Sequence, residues 1–284
     1  MSLANKKIVL VVNDYDGRSL KAAEHLKNWC ADEGVNVCEQ VCRDCDLIVA
    51  LGGDGTIIRA AHEYAGSEIP LLGVKFGRLG FLSGAPAEDL ISAVRSSLKK
   101  EVQVEKRALL KVEAYAGDTL LGTHYALNEA LIGRHTDSQV ITTKLCINGH
   151  MIYQLSGDGI IVSTATGSTA YALSAGGPIL SPESRAMALV PLASHTLISR
   201  AIVTAAKDTV RCHLSDSAHG GAILSIDGQV VIDNVYLERS NPAVSLPFTH
   251  IEACICNERW VSLVKTSSRL FFDTLATEFY RREA

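Results

Sequence analysis

The segment Gly52-Gly53-Asp54-Gly55-Thr56 places an acidic side chain among glycines. Glycine lets a backbone pass close to phosphate oxygens, and the start of a following helix presents free N–H groups to an anion. A tight turn would explain the glycines but not the acid. A carboxylate beside a phosphate is unfavourable unless a metal bridges the two or the acid takes a proton from an attacking hydroxyl. The segment predicts phosphate chemistry at Asp54 and leaves both roles open.

A second segment, Asp158–Tyr171, runs from an apolar strand into hydroxyl side chains, a glycine and a tyrosine. We expect a short helix to follow and to reach Ser174. Hydroxyls and helix-start amides are good partners for ribose and phosphate. A helix capped by serine and threonine explains the same residues equally well. Composition alone therefore leaves a ligand site and a structural cap as equal alternatives.

A third candidate is the polar pair Asn128-Glu129 inside the otherwise apolar stretch 125–132. An exposed strand edge would account for the pair. Asn, however, carries donors and an acceptor suited to the edge of an adenine, and Glu accepts hydrogen bonds from ribose hydroxyls. The pair is therefore a candidate nucleotide contact.

Cys38, Cys42 and Cys45 are spaced as C-x3-C-x2-C. Radical enzymes use this spacing to hold an iron–sulfur cluster, but they require a barrel of repeated strand–helix units that this chain does not supply. We therefore interpret the three residues as free thiols on a strand and loop. Eight cysteines in a large chain with no export signal indicate reduced thiols in the cytosol.

The elements that position these residues change along the chain. Apolar runs predict buried strands at 6–12, 47–51 and 70–76. Apolar residues at helical spacing predict helices over 18–33, 56–65 and 87–100, the first two closed by Gly34 and Gly66. Strands that alternate with helices predict a parallel sheet covered on both faces. The glycine segment follows the second strand directly and leads into the second helix.

From residue 102 the apolar residues occupy alternate positions, and strands are predicted to dominate to about residue 265. Asn148-Gly149 and Asp227-Gly228 each lie between two such strands. Both pairs predict tight hairpins, because the two central residues of the favoured turn have positive φ.

The tail is predicted to form a helix. Ser267 or Ser268 caps it, Phe271, Leu275 and Phe279 share one face, and Arg281-Arg282 close it. A helix this apolar needs a surface to pack on, and the α/β half is the natural one. The predicted organisation is an α/β domain over 1–103, a β-rich domain over 104–265, and a helix over 266–284 that returns to the first domain.

Length and charge exclude some functions. A chain of 284 residues is long enough for one large domain or two ordinary ones. A net charge of −4 argues against an electrostatic nucleic-acid binder, which needs clustered Lys and Arg. No apolar run approaches the ~20 residues needed to cross a bilayer. We expect a cytoplasmic protein that binds neither nucleic acid nor membrane.

Taken together, the three candidate segments resemble the NAD kinase family. The glycine loop, segment 73–82, Asn128-Glu129, segments 164–171 and 174–179, and Asp227-Gly228-Gln229 occur in the family's order and approximate spacing. The resemblance spans most of residues 47–230. Diacylglycerol kinases, sphingosine kinases and phosphofructokinases carry similar glycine loops. Segment 164–171, called the hydroxyl run below, is together with the Asn128-Glu129 pair much more specific for the NAD kinase family.

The resemblance implies an N-terminal parallel-sheet α/β domain, a C-terminal all-β sandwich-like domain and a site between them. Asp54 would be the proton acceptor, with Gly55 and Arg59 near the ligand. The implied nucleotide contacts are Asn128, Glu129, Asp158, Thr169, Ala170, Tyr171, Ala172, Leu173, Ser174, Ala193 and Gln229.

The implied reaction transfers the terminal phosphate of ATP or polyphosphate to the 2′-hydroxyl of the adenosine ribose of NAD. A divalent metal, Mg²⁺, is the expected cofactor, with its ligands unassigned. The family assembles as homodimers or homotetramers in which neighbouring subunits contribute to the pocket. Lys75, Ala165 and Ser156 stand where Asn, Pro and a basic residue are frequent, which leaves the donor and the choice between NAD and NADH open.

Two other functions share some of these features. A lipid kinase of the diacylglycerol or sphingosine type has the same glycine loop, but the hydroxyl run fits a ribose better than an acyl chain. A non-catalytic NAD-binding regulator would keep Asn128 and Tyr171 but has no need of Asp54.

Overall fold

Helices and strands alternate over the first hundred residues, and strands dominate afterwards, in a computed structural model that describes residues 3–40, 42, 44–136, 140–195, 199–215, 222–234, 248–266 and 271–280. The strands are β1 (Lys7–Val12), β2 (Asn36–Cys38), β3 (Leu47–Leu51), β4 (Leu71–Lys75), β5 (Ala85–Pro86), β6 (Gln103–Ala116), β7 (Thr119–Ala126), β8 (Glu129–Arg134), β9 (Ile141–Ile147), β10 (His150–Gly157), β11 (Gly159–Thr164), β12 (Ala186–Leu192), β13 (Ile202–Ala205), β14 (Val210–Leu214), β15 (Ala222–Ile226), β16 (Gln229–Asp233) and β17 (His250–Lys265). The helices are α1 (Gly17–Glu33), α2 (Asp54–Tyr64), α3 (Leu90–Leu98), α4 (Tyr171–Ser174) and α5 (Phe271–Tyr280).

The chain forms two units. The first contains residues 1–107 and 258–284, and the second contains residues 108–257. Strands β6 and β17 each run from one unit into the other. Among the described residues, no helix is long and apolar enough to cross a membrane.

A parallel sheet with the strand order β2-β1-β3-β4 forms the centre of the first unit. All five residues of β3 are buried, because helices cover both of its faces. Apolar residues of α1 and α3 pack with Leu47, Val49 and Leu51, and α2 packs on the other side, where Ile57 reaches Gly73. The predicted parallel α/β domain is confirmed.

Local signals explain where α1 and α2 begin and end. The Asp16 side chain accepts a hydrogen bond from the Arg18 amide, and Gly34 ends α1 at φ 70°. Helix α2 begins at Asp54, two residues before the predicted start at Thr56. The Gly53 carbonyl already accepts hydrogen bonds from the amides of Thr56 and Ile57, so the acid belongs to the first turn of the helix.

The second unit is an antiparallel β-sandwich, as the sequence predicted. One sheet has the order β13-β12-β11-β8-β15-β16, and the other contains β10-β9-β14-β17 together with the β6–β7 hairpin. Alternate residues of β6, including Leu110, Val112 and Ala114, lie in the core of this unit.

Both predicted hairpin turns are present in the second unit. Asn148 and Gly149 have φ of 51° and 80°, and Asp227 and Gly228 have φ of 46° and 81°. Positive φ at both central residues is the feature of this turn type that favours Asn-Gly and Asp-Gly.

Helix α5 belongs to the first unit. The ring of Phe271, its first residue, lies 5.4 Å from the ring of Phe81. This contact agrees with the predicted return of the tail to the α/β half. The predicted caps Ser267 and Ser268, the pair Arg281-Arg282 and the Phe279 side chain lie outside the described residues.

Candidate functional site

The glycine loop joins β3 to α2 and leaves backbone donors open to a ligand. A Cβ on Gly52 would lie 2.3 Å from Thr56 Oγ1, so only glycine fits at this position. Gly53 and Gly55 have no atom within 4 Å of the position that a Cβ would occupy. The helix start leaves the Asp54 and Gly55 amides without an acceptor inside the helix. The loop therefore combines an open surface with N–H groups suited to phosphate oxygens.

Asp54 forms an ion pair that the sequence analysis did not predict. Lys75 Nζ donates a hydrogen bond of 2.9 Å to Asp54 Oδ2. A Cβ on Gly80 would lie 2.9 Å from Lys75 Nζ and 3.3 Å from Asp54 Oδ1, so the backbone of Gly80 closes over this pair. The two predicted strands indicate this pair, because Asp54 and Lys75 lie at their carboxyl ends. β3 and β4 are parallel neighbours, so these ends lie on the same side of the sheet.

Lys265 fixes the loop that follows Gly80. Its ammonium group donates to the carbonyl oxygens of Phe81, at 2.9 Å, and Ser83, at 2.8 Å. Burial, followed by the charge of Arg107, lowers the pKa of Lys265 to about 8. We find no sequence pattern that would have indicated this role, since Lys265 lies at the far end of β17.

Arg59 is the other predicted ligand neighbour in the first unit. The side chain is exposed on α2, and its Nη2 donates a hydrogen bond of 2.5 Å to the carbonyl oxygen of Val12. The guanidinium group therefore lies at the carboxyl end of β1, next in the sheet to the end of β3.

In the second unit, the Asp227 carboxylate holds the segment that carries Asn128 and Glu129. Asp227 Oδ1 accepts from the amides of Asn128, at 2.7 Å, and Glu129, at 2.9 Å, and Oδ2 accepts from the Leu127 amide at 2.7 Å. The predicted hairpin residue is thus also an anchor. The sequence did not reveal this role, because about one hundred residues separate the partners.

Glu129 is buried, with 7% of its surface exposed. Burial, together with the nearby Asp227 charge, raises the pKa of Glu129 to about 8. Its Oε2 has no hydrogen-bond partner within the described part of the chain. A buried carboxyl oxygen without a partner is costly in a folded protein, and a ligand hydroxyl would satisfy it.

Asn128 is fixed by close backbone contacts. The Thr164 amide donates to the Asn128 carbonyl at 2.8 Å, and Ser163 Oγ donates to the same oxygen at 3.2 Å. A Cβ on Gly167 would lie only 2.1 Å from that oxygen. The glycine of the hydroxyl run is therefore required by its approach to Asn128.

Several hydroxyl groups of the hydroxyl run donate hydrogen bonds to backbone carbonyls of the protein itself. Thr164 Oγ1 donates to the Leu127 carbonyl at 2.6 Å, and Ser168 Oγ donates to the Ala165 carbonyl at 2.7 Å. Thr169 Oγ1 donates to the Thr166 carbonyl at 3.2 Å. These hydroxyls fix the segment that leads into α4, but the predicted serine or threonine cap is absent, because Ala170 precedes the helix without a side-chain hydrogen bond.

The predicted contacts at 169–174 differ in accessibility. Tyr171 and Ser174 are exposed on α4, whereas Thr169, Ala170 and Leu173 are half-buried. Ala172 is fully buried and packs with Ile161, Ala188 and Val190. Any contribution of Ala172 to a ligand therefore has to come from its backbone.

The remaining predicted contacts lie on separate turns of the second unit. Asp158 lies between β10 and β11, and its Oδ1 accepts a hydrogen bond of 2.6 Å from Arg134 Nε. Ala193 is exposed after β12 and has φ 43°. Gln229 is exposed at the start of β16, directly after the Asp227-Gly228 turn. The hydrogen bonds of the described residues connect Asn128, Glu129 and the hydroxyl run with Asp227, whereas Ala193 lies on the turn after β12 and Gln229 at the start of β16.

Comparisons with known proteins agree across both units. Residues 3–102 match the ATP-NAD kinase N-terminal domain, and residues 127–240 match the ATP-NAD kinase C-terminal domain. An NAD kinase of Alcanivorax borkumensis is 41% identical over 202 residues, which are 70% of this chain and 67% of that protein.

Two solved structures have a similar fold. A crystal structure of yeast NADH kinase complexed with NADH is similar with a TM-score of 0.79 and 20% identity, covering 98% of this chain and 88% of that one. The structure of an NAD kinase from Archaeoglobus fulgidus in complex with ATP is similar with a TM-score of 0.68 and 24% identity, covering 96% of this chain and 99% of that one.

Proposed function

The chain belongs to the NAD kinase family, and we propose that it transfers the terminal phosphate of ATP to the 2′-hydroxyl of the adenosine ribose of NAD, giving NADP. The observation that carries this proposal is the position of Asp54. Its half-exposed carboxylate lies in the first turn of α2, beside the open amides of a glycine loop and in contact with Lys75. A carboxylate, N–H groups that can bind phosphate oxygens and a cation therefore lie close together.

Asp54 supports the reaction by orienting the attacking hydroxyl. A carboxylate is a weak base, so Asp54 takes the proton late, as the new oxygen–phosphorus bond forms and the bond to ADP breaks. The proton then passes to solvent. Because phosphoryl transfer has a loose transition state, positioning and charge neutralisation provide most of the catalysis. Lys75 and the loop amides are placed to supply both.

The residues present also fit a magnesium ion shared with the donor. Mg²⁺ commonly takes one or two protein carboxylates and completes its shell with substrate phosphates and water. Asp54 is the carboxylate available for this in the glycine loop, and Lys75 already offsets part of its charge. When bound, the ion would neutralise charge on the donor phosphates.

The nucleotide contacts in this proposal come from the second unit. Glu129 supports them most directly, because its Oε2 is buried and has no partner in the described ranges. A ribose hydroxyl would pair with this oxygen. The other proposed contacts are Asn128, Asp158, Thr169, Ala170, Tyr171, Ala172, Leu173, Ser174, Ala193 and Gln229, with Gly55 and Arg59 from the first unit.

Replacing Asp54 tests the proposed chemistry. We expect Asp54→Asn to lose at least ~100-fold in turnover while NAD still binds, because the change removes the charge with little change in shape. NADP formation from NAD, ATP and Mg²⁺ gives the rate, and calorimetry gives the NAD affinity. The matched control is Glu63→Gln, an exposed carboxylate on the same helix. Unchanged turnover in Asp54→Asn would contradict the assignment.

The same variant separates the two roles of Asp54. If the acid mainly holds the metal, Asp54→Asn raises the Mg²⁺ concentration needed for half-maximal rate, and saturating Mg²⁺ restores turnover. If it mainly accepts the proton, turnover stays low at saturating Mg²⁺. A Mg²⁺ titration of both proteins at fixed ATP and NAD distinguishes these outcomes.

The proposal also specifies which molecule donates the phosphate and which accepts it. We take ATP as donor and NAD as acceptor, with polyphosphate and NADH as the alternatives. Parallel assays with the two donors and the two acceptors at equal concentration measure each preference through kcat/KM. Higher kcat/KM with polyphosphate or with NADH would revise the corresponding assignment.

We also infer that the enzyme works in the cytoplasm as a homodimer or homotetramer. Support for self-association comes from exposed apolar side chains on strands of the second unit. They include Leu120 on β7, Met151 on β10, Val203 on β13 and Val230 on β16. Exposed apolar side chains favour association where they lie together on one surface, and a second copy of the chain is the partner that we propose.

A further inference from the structure

Three cysteines of the first unit lie close together in space, which their spacing in the sequence alone does not establish. Cys38 ends β2, and Cys42 and Cys45 lie in the loop before β3. The three sulfur atoms lie within 4.8 Å of one another, and Cys42 Sγ is 3.0 Å from Cys45 Sγ. Cys45 is buried, whereas Cys38 and Cys42 are partly exposed. Three soft ligands therefore meet at a place that a metal ion can reach.

Hydrogen bonds prepare the sulfurs for a metal. The Cys42 amide donates to Cys45 Sγ at 3.2 Å, and the Cys45 amide donates to the Cys42 carbonyl at 3.0 Å. The first bond holds the Cys45 sulfur against the backbone of Cys42. The second closes a turn that fixes the spacing of the two side chains. Bonds of this kind orient the ligands in metal sites.

Ion pairs hold the segment around the cluster. Lys6 Nζ donates to Asp46 Oδ1 at 2.6 Å, and the Lys7 amide donates to Asp46 Oδ2 at 2.9 Å. The Lys7 ammonium group also pairs with Asp44, whose carboxylate contacts the Cys42 side chain. The cation balances part of the negative charge that three thiolates would bring.

We propose that Cys38, Cys42 and Cys45 bind one zinc ion through their three sulfur atoms. Tetrahedral zinc with bonds of ~2.3 Å sets its sulfur ligands roughly 3.8 Å apart, within the spread of this cluster. An iron–sulfur cluster binds its cysteines through different iron atoms, which requires a wider spacing of the sulfurs. A water molecule would complete the four-coordinate shell. Binding converts three thiols to thiolates and releases three protons to solvent.

The site has a structural role in this proposal. The cluster precedes β3 and the glycine loop follows it, so the five residues of the strand separate them by roughly 16 Å. Zinc therefore fastens the β2–β3 connection at the edge of the sheet opposite to Asp54. Its removal should lower thermal stability and leave the rate constant of phosphate transfer by the folded enzyme unchanged.

The test uses the full-length chain purified under reducing conditions and loaded with Zn²⁺ alone. Cys42→Ser is the test variant, because its partly exposed side chain can change without opening a cavity in the core. Cys146→Ser is the matched control, a partly exposed cysteine outside the cluster. We expect one zinc per wild-type chain by elemental analysis, at least about 100-fold weaker zinc affinity in Cys42→Ser, and wild-type affinity in Cys146→Ser.

Cobalt provides an independent readout that does not depend on activity. Co²⁺ added to the wild type should give thiolate-to-metal charge-transfer absorption and the visible bands of a tetrahedral ion, and both should be absent in Cys42→Ser. A chelator should lower the Tm of the wild type and not that of Cys42→Ser. Equal zinc binding by both variants, zinc-free wild type, a Cys42–Cys45 disulfide found by mass spectrometry, or bound iron would each overturn the proposal.

Discussion

Lys75 places a positive charge directly beside the acid of the glycine loop. Its ammonium group pairs with Asp54 and lies against the backbone of Gly80. An asparagine in its place would donate a hydrogen bond but bring no charge. In the proposed reaction, a lysine here adds a cation beside the donor phosphates, where charge develops during transfer.

We expect Lys75→Met to lower kcat by about 10- to 100-fold, because the variant keeps the length of the side chain but removes a preorganised charge from the reacting groups. Steady-state kinetics with varied ATP and NAD measure the effect. Lys21→Met, at an exposed position on α1, is the control. Lys75→Asn shows whether a hydrogen bond to Asp54, without the charge, is enough to maintain kcat. Wild-type kcat in Lys75→Met would exclude a catalytic contribution of the charge.

Glu129 makes stability depend on pH. Its folded-state pKa of about 8 lies above the ordinary value of 4.5, so the folded protein holds a proton that the unfolded chain releases between these values. The associated stability is fully present below about pH 4.5 and is lost as pH rises through 8. Relative to the wild type, Glu129→Gln should therefore gain stability as pH rises, on the order of 5 kcal/mol by pH 9.

Urea unfolding of the ligand-free protein at several pH values between 5 and 9 measures this difference. The control is Glu183→Gln, an exposed glutamate of the same unit. It should follow the pH profile of the wild type. If Glu129→Gln keeps the wild-type profile as well, burial of an acidic group at this position does not set the pH dependence.

At the level of elements, the turn Gly167–Thr169 requires a residue without a side chain at position 167. A Cβ on Gly167 would lie 2.1 Å from the Asn128 carbonyl oxygen, and a backbone atom cannot move as a side chain can. We expect Gly167→Ala to displace β8 from the hydroxyl run, to lower stability by about 2 kcal/mol or more, and to raise the KM for NAD by at least about 10-fold. Gly17→Ala, which has open space around it, is the control. An unchanged KM would show that Asn128 does not depend on this contact.

Which elements could be predicted follows from the range of the interactions that form them. The Asn148-Gly149 turn and the end of α1 at Gly34 depend on local backbone preferences, so the sequence indicated both. The sequence predicts the start of α2 two residues after Asp54, because Asp and Gly are weak helix formers and the loop geometry determines where the helix begins. The Asp227–Glu129 contact joins distant segments that only the folded sheet brings together. The Asp54–Lys75 pair, in contrast, lies at the ends of two strands that the sequence predicts.

At the scale of the whole molecule, the proposed oligomer links an exposed surface to the nucleotide site. Val230 and Val231 are exposed on β16, and Gln229, a proposed nucleotide contact, directly precedes them in the chain. Strand β16 lies at the edge of its sheet among the described strands, where unpaired backbone groups favour association. Self-association through this strand would bring Gln229 of one subunit close to its neighbour.

We expect Val230→Glu to reduce the oligomer to smaller species, because a charge on each subunit would be buried at the interface. Light scattering after gel filtration measures the mass, and kinetics of the same samples measure the KM for NAD. If a neighbouring subunit contributes to the pocket, dissociation and a higher KM occur together, and both reverse at high protein concentration. Leu20→Glu, at an exposed apolar position on α1, is the control. An unchanged mass in Val230→Glu would remove β16 from the interface, and a changed mass with an unchanged KM would show that each subunit binds NAD alone.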